Sequence, residues 1–272
     1  MPTQAEKAKV FRALHERDGA FIIPNPWDVG SARLLESLGF EALATTSAGF
    51  AFSIGKSDGA VGRDTMMAHA AALVAATNLP VSADLENGYA DDPARVADTV
   101  RLAAELGLAG CSIEDVPSGG NRKPYDLSLA ADRIRAAAEV ARSLPFPFIL
   151  TARAENFIVG RPDLSDTIAR LQAFQQAGAD ALFAPGLKTM QDITSVVRSV
   201  DLPVNVIMGL EDAQFSLAEL SQMGVRRVSV GSALARAALT GFLRAAEEMH
   251  KKGTFTFAED IVKYAELNEK FA

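Results

Sequence analysis

The stretch Pro80-Val81-Ser82-Ala83-Asp84-Leu85-Glu86-Asn87-Gly88-Tyr89 runs from apolar residues straight into carboxylates. In an extended chain alternate side chains share a face, so Asp84 and Glu86 point together and Leu85 points away. A second apolar run, Gly110-Cys111-Ser112-Ile113-Glu114-Asp115, also ends in acids. A lone acid at a strand end is usually solvated or caps the next helix. Acids gathered from adjacent strands repel one another and call for a cation. Asp58, Asp84, Glu86 and Glu114 follow three successive predicted strands, so they are expected to converge on one point. An oxygen-only donor set favours Mg²⁺ or Mn²⁺ over zinc or copper. A third run, Leu150-Thr151-Ala152-Arg153-Ala154-Glu155-Asn156, brings Arg153 to the same end. Its guanidinium fork suits a carboxylate or phosphonate, and a salt bridge to Glu155 or Glu114 is the structural alternative. A metal ion beside an arginine suits a 2-oxo acid, because a Lewis acid stabilises the enolate formed when such a substrate loses a bond.

Other chemistries lack their parts. The three histidines, His15, His69 and His250, fall in predicted helices away from the carboxyl ends of strands and are expected to be solvated. Zinc sites and Ser-His-Asp triads are therefore not expected. The single cysteine, Cys111, excludes a disulfide within the chain and reads as a buried structural thiol. With a net charge of −7 and scattered Lys and Arg, neither nucleic acid nor an anionic membrane is an expected partner. No apolar run reaches the ~20 residues of a membrane span, and the polar first residues lack a secretion signal, so a cytoplasmic protein is expected. A Schiff-base aldolase is the rival mechanism, with Lys188 beyond the sixth strand as its one candidate.

The elements that must position these groups alternate regularly. An amphipathic helix over 4–18 precedes strands at 21–24, 42–47, 80–85, 110–114, 147–153, 181–184, 204–208 and 227–231. Helices are expected at 29–38, 64–77, 93–106, 128–143, 164–177, 189–199, 215–223 and 233–251. Gly39, Gly107, Gly178 and Gly224 each close a helix just before a strand, where a left-handed cap is needed. Eight βα units match a closed parallel (β/α)8 TIM barrel, whose active sites lie at the carboxyl ends of the strands. The expected domain is one barrel over 1–272. A doubly wound sheet is disfavoured because Asn25-Pro26-Trp27-Asp28-Val29-Gly30 has no glycine-rich phosphate fingerprint. Long loops are expected at 48–63 and 116–127.

In combination these motifs resemble the isocitrate lyase/phosphoenolpyruvate mutase superfamily. The resemblance spans about residues 20–240. It rests on Asn25-Pro26-Trp27-Asp28 with Ser31-Ala32-Arg33, Thr45-Thr46-Ser47-Ala48-Gly49, Asp84-Leu85-Glu86-Asn87-Gly88-Tyr89, Ser112-Ile113-Glu114-Asp115 and Thr151-Ala152-Arg153-Ala154-Glu155. It implies a (β/α)8 barrel with Mg²⁺ that makes or breaks a C–C or P–C bond in a small 2-oxo or dicarboxylic acid. By position, Asp84, Glu86, Glu114 and Asp58 resemble the metal acids. Arg153 resembles the arginine that binds the substrate carboxylate, and Thr46, Ser47 and Ala48 the backbone cradle for its other end, with Trp27 and Asp28 counted among the substrate-binding positions. The lyase branch carries Lys-Lys-Cys-Gly-His in the loop after strand 4. Here that loop reads Val116-Pro117-Ser118-Gly119-Gly120-Asn121-Arg122-Lys123-Pro124-Tyr125, without a thiol.

Two expectations complete the reading. The loop 116–127 is expected to be a lid, with Asn121 and Lys123 acting in catalysis and Tyr125, Lys123 or an ordered water giving the proton. Lacking a loop thiol, it disfavours isocitrate-type cleavage and leaves decarboxylation or P–C chemistry. Beyond Gly253, residues 253–272 are expected to form a helical extension. Its apolar stripe, Phe257, Ile261, Tyr264, Leu267 and Phe271, is expected to cover a neighbouring subunit in a homodimer or homotetramer.

Overall fold

Eight parallel strands follow one another around a barrel in the computed structural model, which describes residues 1–118, 123–209 and 214–272. They are β1 Phe21–Ile23, β2 Leu43–Ala44, β3 Val81–Asp84, β4 Gly110–Glu114, β5 Ile149–Arg153, β6 Ala181–Phe183, β7 Val204–Ile207 and β8 Arg227–Ser229. The ladder runs β1-β8-β7-β6-β5-β4-β3-β2. The last gap is bridged where Ala44 N donates to the Pro24 carbonyl at 3.0 Å. Every strand lies inside its predicted span, and the fold is the expected TIM barrel.

The helices are α1 Gln4–Glu16, α2 Val29–Ser37, α3 Ser47–Ser53, α4 Arg63–Ala76, α5 Pro93–Glu105, α6 Leu127–Ser143, α7 Leu164–Ala177, α8 Met190–Arg198, α9 Leu217–Gln222, α10 Ala233–Lys252 and α11 Tyr264–Phe271. The four glycines expected to cap helices all have positive φ, from +85° to +102°. One core lies between strands and helices, where outward residues such as Leu150, Ala152 and Val228 meet the apolar helix faces. A second joins Ala8, Phe11 and Leu14 of α1 to Phe21, Ile23 and Ile149, so α1 plugs the amino end of the barrel.

Three expectations are corrected. The stretch 48–63 is not all loop. Thr46 accepts a hydrogen bond from Gly49 N and caps α3, whose Ala51 is buried with Val61 and Met66. The C-terminal stripe is broken. After Gly253 the Glu248 carboxylate accepts hydrogen bonds from the Thr256 and Phe257 amides and folds the chain into a 3-10 turn, Thr256–Asp260. Beyond it α11 packs on α2 of the same chain, with Phe271 against Gly30, while Ile261 and Tyr264 face solvent.

The third correction concerns the histidines, since His15 and His69 are buried and only His250 is exposed. His69 stacks on Phe50 at 3.8 Å, and burial pulls its pKa down to about 4. His15 sits edge-on between Phe11 and Phe21, and burial together with Arg227 pulls its pKa down to about 3. The unfolded chain therefore binds a proton here, from its ordinary value of 6.5 downward, that the folded chain refuses until about pH 3. Stability is fully present above the unfolded value and is lost as the pH falls through that window. The slope of Tm against pH from about pH 7 to about pH 4 is expected to be shallower in His15→Gln by one proton's worth. Identical slopes in calorimetry would contradict it.

Candidate active site

Inward-facing residues of the barrel normally fill it with bulky branched side chains. Here Ser82, Ser112, Asn205 and Ser229 take those places, and a cavity of about 370 Å³ opens among them at the carboxyl ends of the strands. Among the described residues five carboxylates, Asp58, Asp84, Glu86, Glu114 and Glu155, line it with two guanidinium groups, Arg153 and Arg227.

Arg153 organises the acids. Its Nη1 lies 2.8 Å from Asp84, Nη2 3.3 Å from Glu114 and Nε 2.9 Å from Glu155. Its guanidinium carbon also lies over the Phe183 ring, 5.1 Å from the ring centre. Burial would lower the Arg153 pKa, but Glu155, Asp84 and Glu114 outweigh it and hold it well above the usual range. The salt bridges to Glu114 and Glu155 are present, and Arg153 also lines the cavity. Asp84 is anchored on its other side, where Oδ2 accepts from Ser47 N at 3.2 Å and Ser47 Oγ at 2.9 Å.

Asp84 and Glu86 both line the cavity while Leu85 turns into the core, although the strand ends at Asp84. What aims Glu86 is the loop after β3. Arg133 of α6, 1% exposed, donates to the carbonyls of Asn87, Ala90 and Glu114 and folds that loop back. Glu86 and Tyr89 consequently hold left-handed φ of 48° and 57°, a strain that tertiary hydrogen bonds must offset. Ser118 Oγ lies 3.1 Å from Glu86 Oε2 and 2.8 Å from Asn87 Oδ1. The Tyr89 hydroxyl is buried beside the acids without a hydrogen-bond partner among the described residues. Burial first, then Glu86 and Asp84, raises its pKa, so it stays protonated.

The sequence-derived candidates divide. Asp58, Asp84, Glu86, Glu114, Arg153, Thr46, Ser47 and Ala48 line the cavity, Asp58 from an exposed loop at the rim. Among the described residues no three acidic side chains form a ready metal cage, and Arg153 pairs with both Asp84 and Glu114. Trp27 and Asp28 lie outside the cavity wall, and Asp28 caps α2 through Ser31. Lys123 is exposed on a separate surface groove with Arg161 and Asp166 rather than over the acids. Tyr125 is tied outside the cavity, its hydroxyl donating to Asp91 and accepting from Asn87. Burial and the Asp91 bond push its pKa up to about 12. Asn121 lies outside the described residues. Lys188 is exposed, and among the described residues no lysine lines the cavity, which leaves the Schiff-base rival without its amine.

Sequence reasoning passed over Asn205, Arg227 and Ser229, and named Asn25 only within a motif and Glu155 only as a salt-bridge partner, yet all five lie on the cavity wall. Asn25 staples the barrel seam, donating to the Thr45 carbonyl and accepting from Val230 N and Gly231 N. For Arg227 and Ser229 the signal was present: polar residues two apart in a strand whose alternate residues are valine share the inward face.

An acidic, oxygen-lined pocket at the carboxyl end of a (β/α)8 barrel, with an arginine among its acids, defines the class. The chain belongs to the phosphoenolpyruvate phosphomutase family, whose model matches residues 11–250, within the isocitrate lyase/phosphoenolpyruvate mutase superfamily. A crystal structure from Burkholderia cenocepacia J2315, provisionally described as a lyase/mutase, is similar at 58% identity and a TM-score of 0.96, over 99% of this chain and 96% of that one. An uncharacterized protein of Mycobacterium tuberculosis H37Rv is 37% identical over 82% of this chain and 81% of its own. An oxaloacetate decarboxylase of Pseudomonas savastanoi pv. phaseolicola is 28% identical over 94% and 93%.

Proposed function

We propose that the protein is a divalent-metal-dependent lyase that breaks a C–C bond in a small 2-oxo dicarboxylic acid, with oxaloacetate-type decarboxylation as the simplest case. The observation that carries this is the pairing of a carboxylate-rich cavity with a guanidinium fork buried inside it. Among the described residues, five carboxylates and two cations line the cavity, and Mg²⁺ needs only one or two carboxylates, completing its shell with water and substrate. The residues therefore fit Mg²⁺ or Mn²⁺ without a preformed cage. Asp84, Glu86 and Glu114 would hold it, and it would supply Lewis-acid stabilisation of a developing enolate. Arg153 offers its fork to the substrate carboxylate, and Ser47 fixes the Asp84 carboxylate in place. Loss of CO₂ leaves its bonding electron pair on the enolate, which a proton then quenches to give the 2-oxo acid. The oxaloacetate decarboxylase relative, similar over most of both chains, supports this reading.

P–C bond chemistry on a phosphonopyruvate-like acid is the second reading, favoured by the family model that spans residues 11–250. One assay separates them from each other and from a barrel that only binds 2-oxo acids. Oxaloacetate, phosphonopyruvate and 2-methylisocitrate are each supplied with Mg²⁺, with EDTA, and with Asp84→Ala as the blank for spontaneous decay. Pyruvate from oxaloacetate, lost in EDTA and restored by Mg²⁺ or Mn²⁺, is expected, with 2-methylisocitrate turned over poorly. EDTA-insensitive turnover, or none, rules the lyase out.

We also place the protein in the cytoplasm as a homodimer or homotetramer. Among the described residues no helix is long and apolar enough to cross a membrane. Phe242, Leu243, Phe255 and Ile261 leave at least 56% of their surface exposed, apolar area that a second copy would cover. A chain ending at Gly253 is expected to show fewer subunits in light scattering, and an unchanged count would argue against it.

A further inference from the structure

The second arginine of the cavity has no acid paired with it among the described residues. Arg227 is 5% exposed and reaches the floor of the cavity from β8, below Ser229. Its Nε donates to Asn205 Oδ1 at 3.0 Å, Nη2 to Thr151 Oγ1 at 3.0 Å and Nη1 to His15 Nε2 at 3.2 Å. His15 Nδ1 lies 2.8 Å from the Phe11 carbonyl and must donate there, which leaves Nε2 as the acceptor and the ring neutral. Every partner of this buried cation among the described residues is therefore uncharged. Burial first, then the like charge of Arg153, brings its pKa down to about 9, so it is still charged at neutral pH.

The contrast with Arg153 gives this meaning. Arg153 is already surrounded by Asp84, Glu114 and Glu155, which offset its attraction for an incoming anion. Arg227 bears the desolvation cost of a buried charge with only neutral hydrogen-bond partners among the described residues and with Arg153 as a like charge, and an anion brought alongside relieves that cost. Among the described residues three of the five guanidinium N–H groups are engaged, which leaves one on each Nη for a two-point contact. Asn205 and Ser229, themselves joined by a 3.0 Å hydrogen bond, stand beside it on the same wall.

We propose that Arg227, with Asn205 and Ser229, seats the distal carboxylate of the substrate on the cavity floor and so selects dicarboxylic over monocarboxylic 2-oxo acids. The proposal rests on the 2-oxo acid reading for the identity of the anion. The alternative is that Arg227 only staples β5, β7 and β8 to α1.

Binding rather than turnover decides between them. Calorimetry with Mg²⁺ compares 3,3-difluorooxaloacetate, a dicarboxylate, with pyruvate, a monocarboxylate, on the wild type, Arg227→Met and Arg227→Lys. Arg227→Met is expected to weaken the dicarboxylate about 100-fold while leaving pyruvate within about twofold, and Arg227→Lys to recover part of that loss. Should Arg227→Met not fold, Ser229→Asp supplies an internal carboxylate to Arg227 and is expected to abolish the dicarboxylate preference while keeping pyruvate binding. Equal weakening of both ligands, an unchanged preference in either folded variant, or a wild type that binds neither overturns the proposal. Failure of the lyase reading would instead appear as absent turnover with the Arg227-dependent preference intact.

Discussion

Asp84→Asn is expected to lower kcat/KM by at least about a thousandfold while the barrel stays folded. The side chain is an acceptor on both oxygens, toward Arg153 at 2.8 Å and toward Ser47 N and Oγ at 3.2 and 2.9 Å. An amide keeps one oxygen but presents N–H groups where a donor already points, so one of these contacts becomes a clash of donors. The substitution also removes a charge that a divalent ion needs. Its structural cost is smaller, because Asp84 sits in a repelling group of acids and losing one of them relieves the rest. A change of about 1–2 kcal/mol in unfolding is expected, against about 4 kcal/mol or more in the transition state. Metal titration by calorimetry should show Mg²⁺ affinity weakened at least tenfold. Unchanged affinity and kinetics would remove Asp84 from the site.

Arg153→Lys is expected to lower kcat/KM by about 100-fold or more, and Arg153→Met to destabilise the fold as well. Three carboxylates converge on one guanidinium through separate nitrogens, and the ammonium of lysine is a point charge that cannot span them. Glu155 is the sharper concern. It is 0% exposed, and its main-chain N donates to Asp115 at 2.9 Å, so it cannot turn to water when its partner is lost. Breaking a buried pair from one side costs about 3–5 kcal/mol. Arg153→Met should therefore show a Tm lower by several degrees that Arg153→Lys largely restores, while activity stays low in both. Recovery of activity along with stability in Arg153→Lys would make Arg153 a structural residue only.

The sequence by itself determined the barrel, since each βα unit carries its own local signals: an apolar run, a helical stripe and a glycine where the helix must end. It also determined which end does chemistry, because alternation in an extended chain sends Asp84 and Glu86 one way and Leu85 the other. What the sequence could not decide was anything that depends on groups far apart in the chain. Glu86 owes its aim to Arg133, 47 positions away, whose donors hold the loop carbonyls. His15 reads as a surface residue of an amphipathic helix until α1 is seen to plug the barrel, where Arg227 and Phe21 close over it. Lys123 and Tyr125 share a loop with the site in sequence, yet Lys123 lies in a separate groove with Asp166 and the Tyr125 hydroxyl is held by Asp91, both outside the cavity. Local periodicity fixes which face of an element is buried; which charges then meet inside depends on packing. The acids of β3 and β4, Arg153 of β5 and Arg227 of β8 become one site only because the sheet closes on itself.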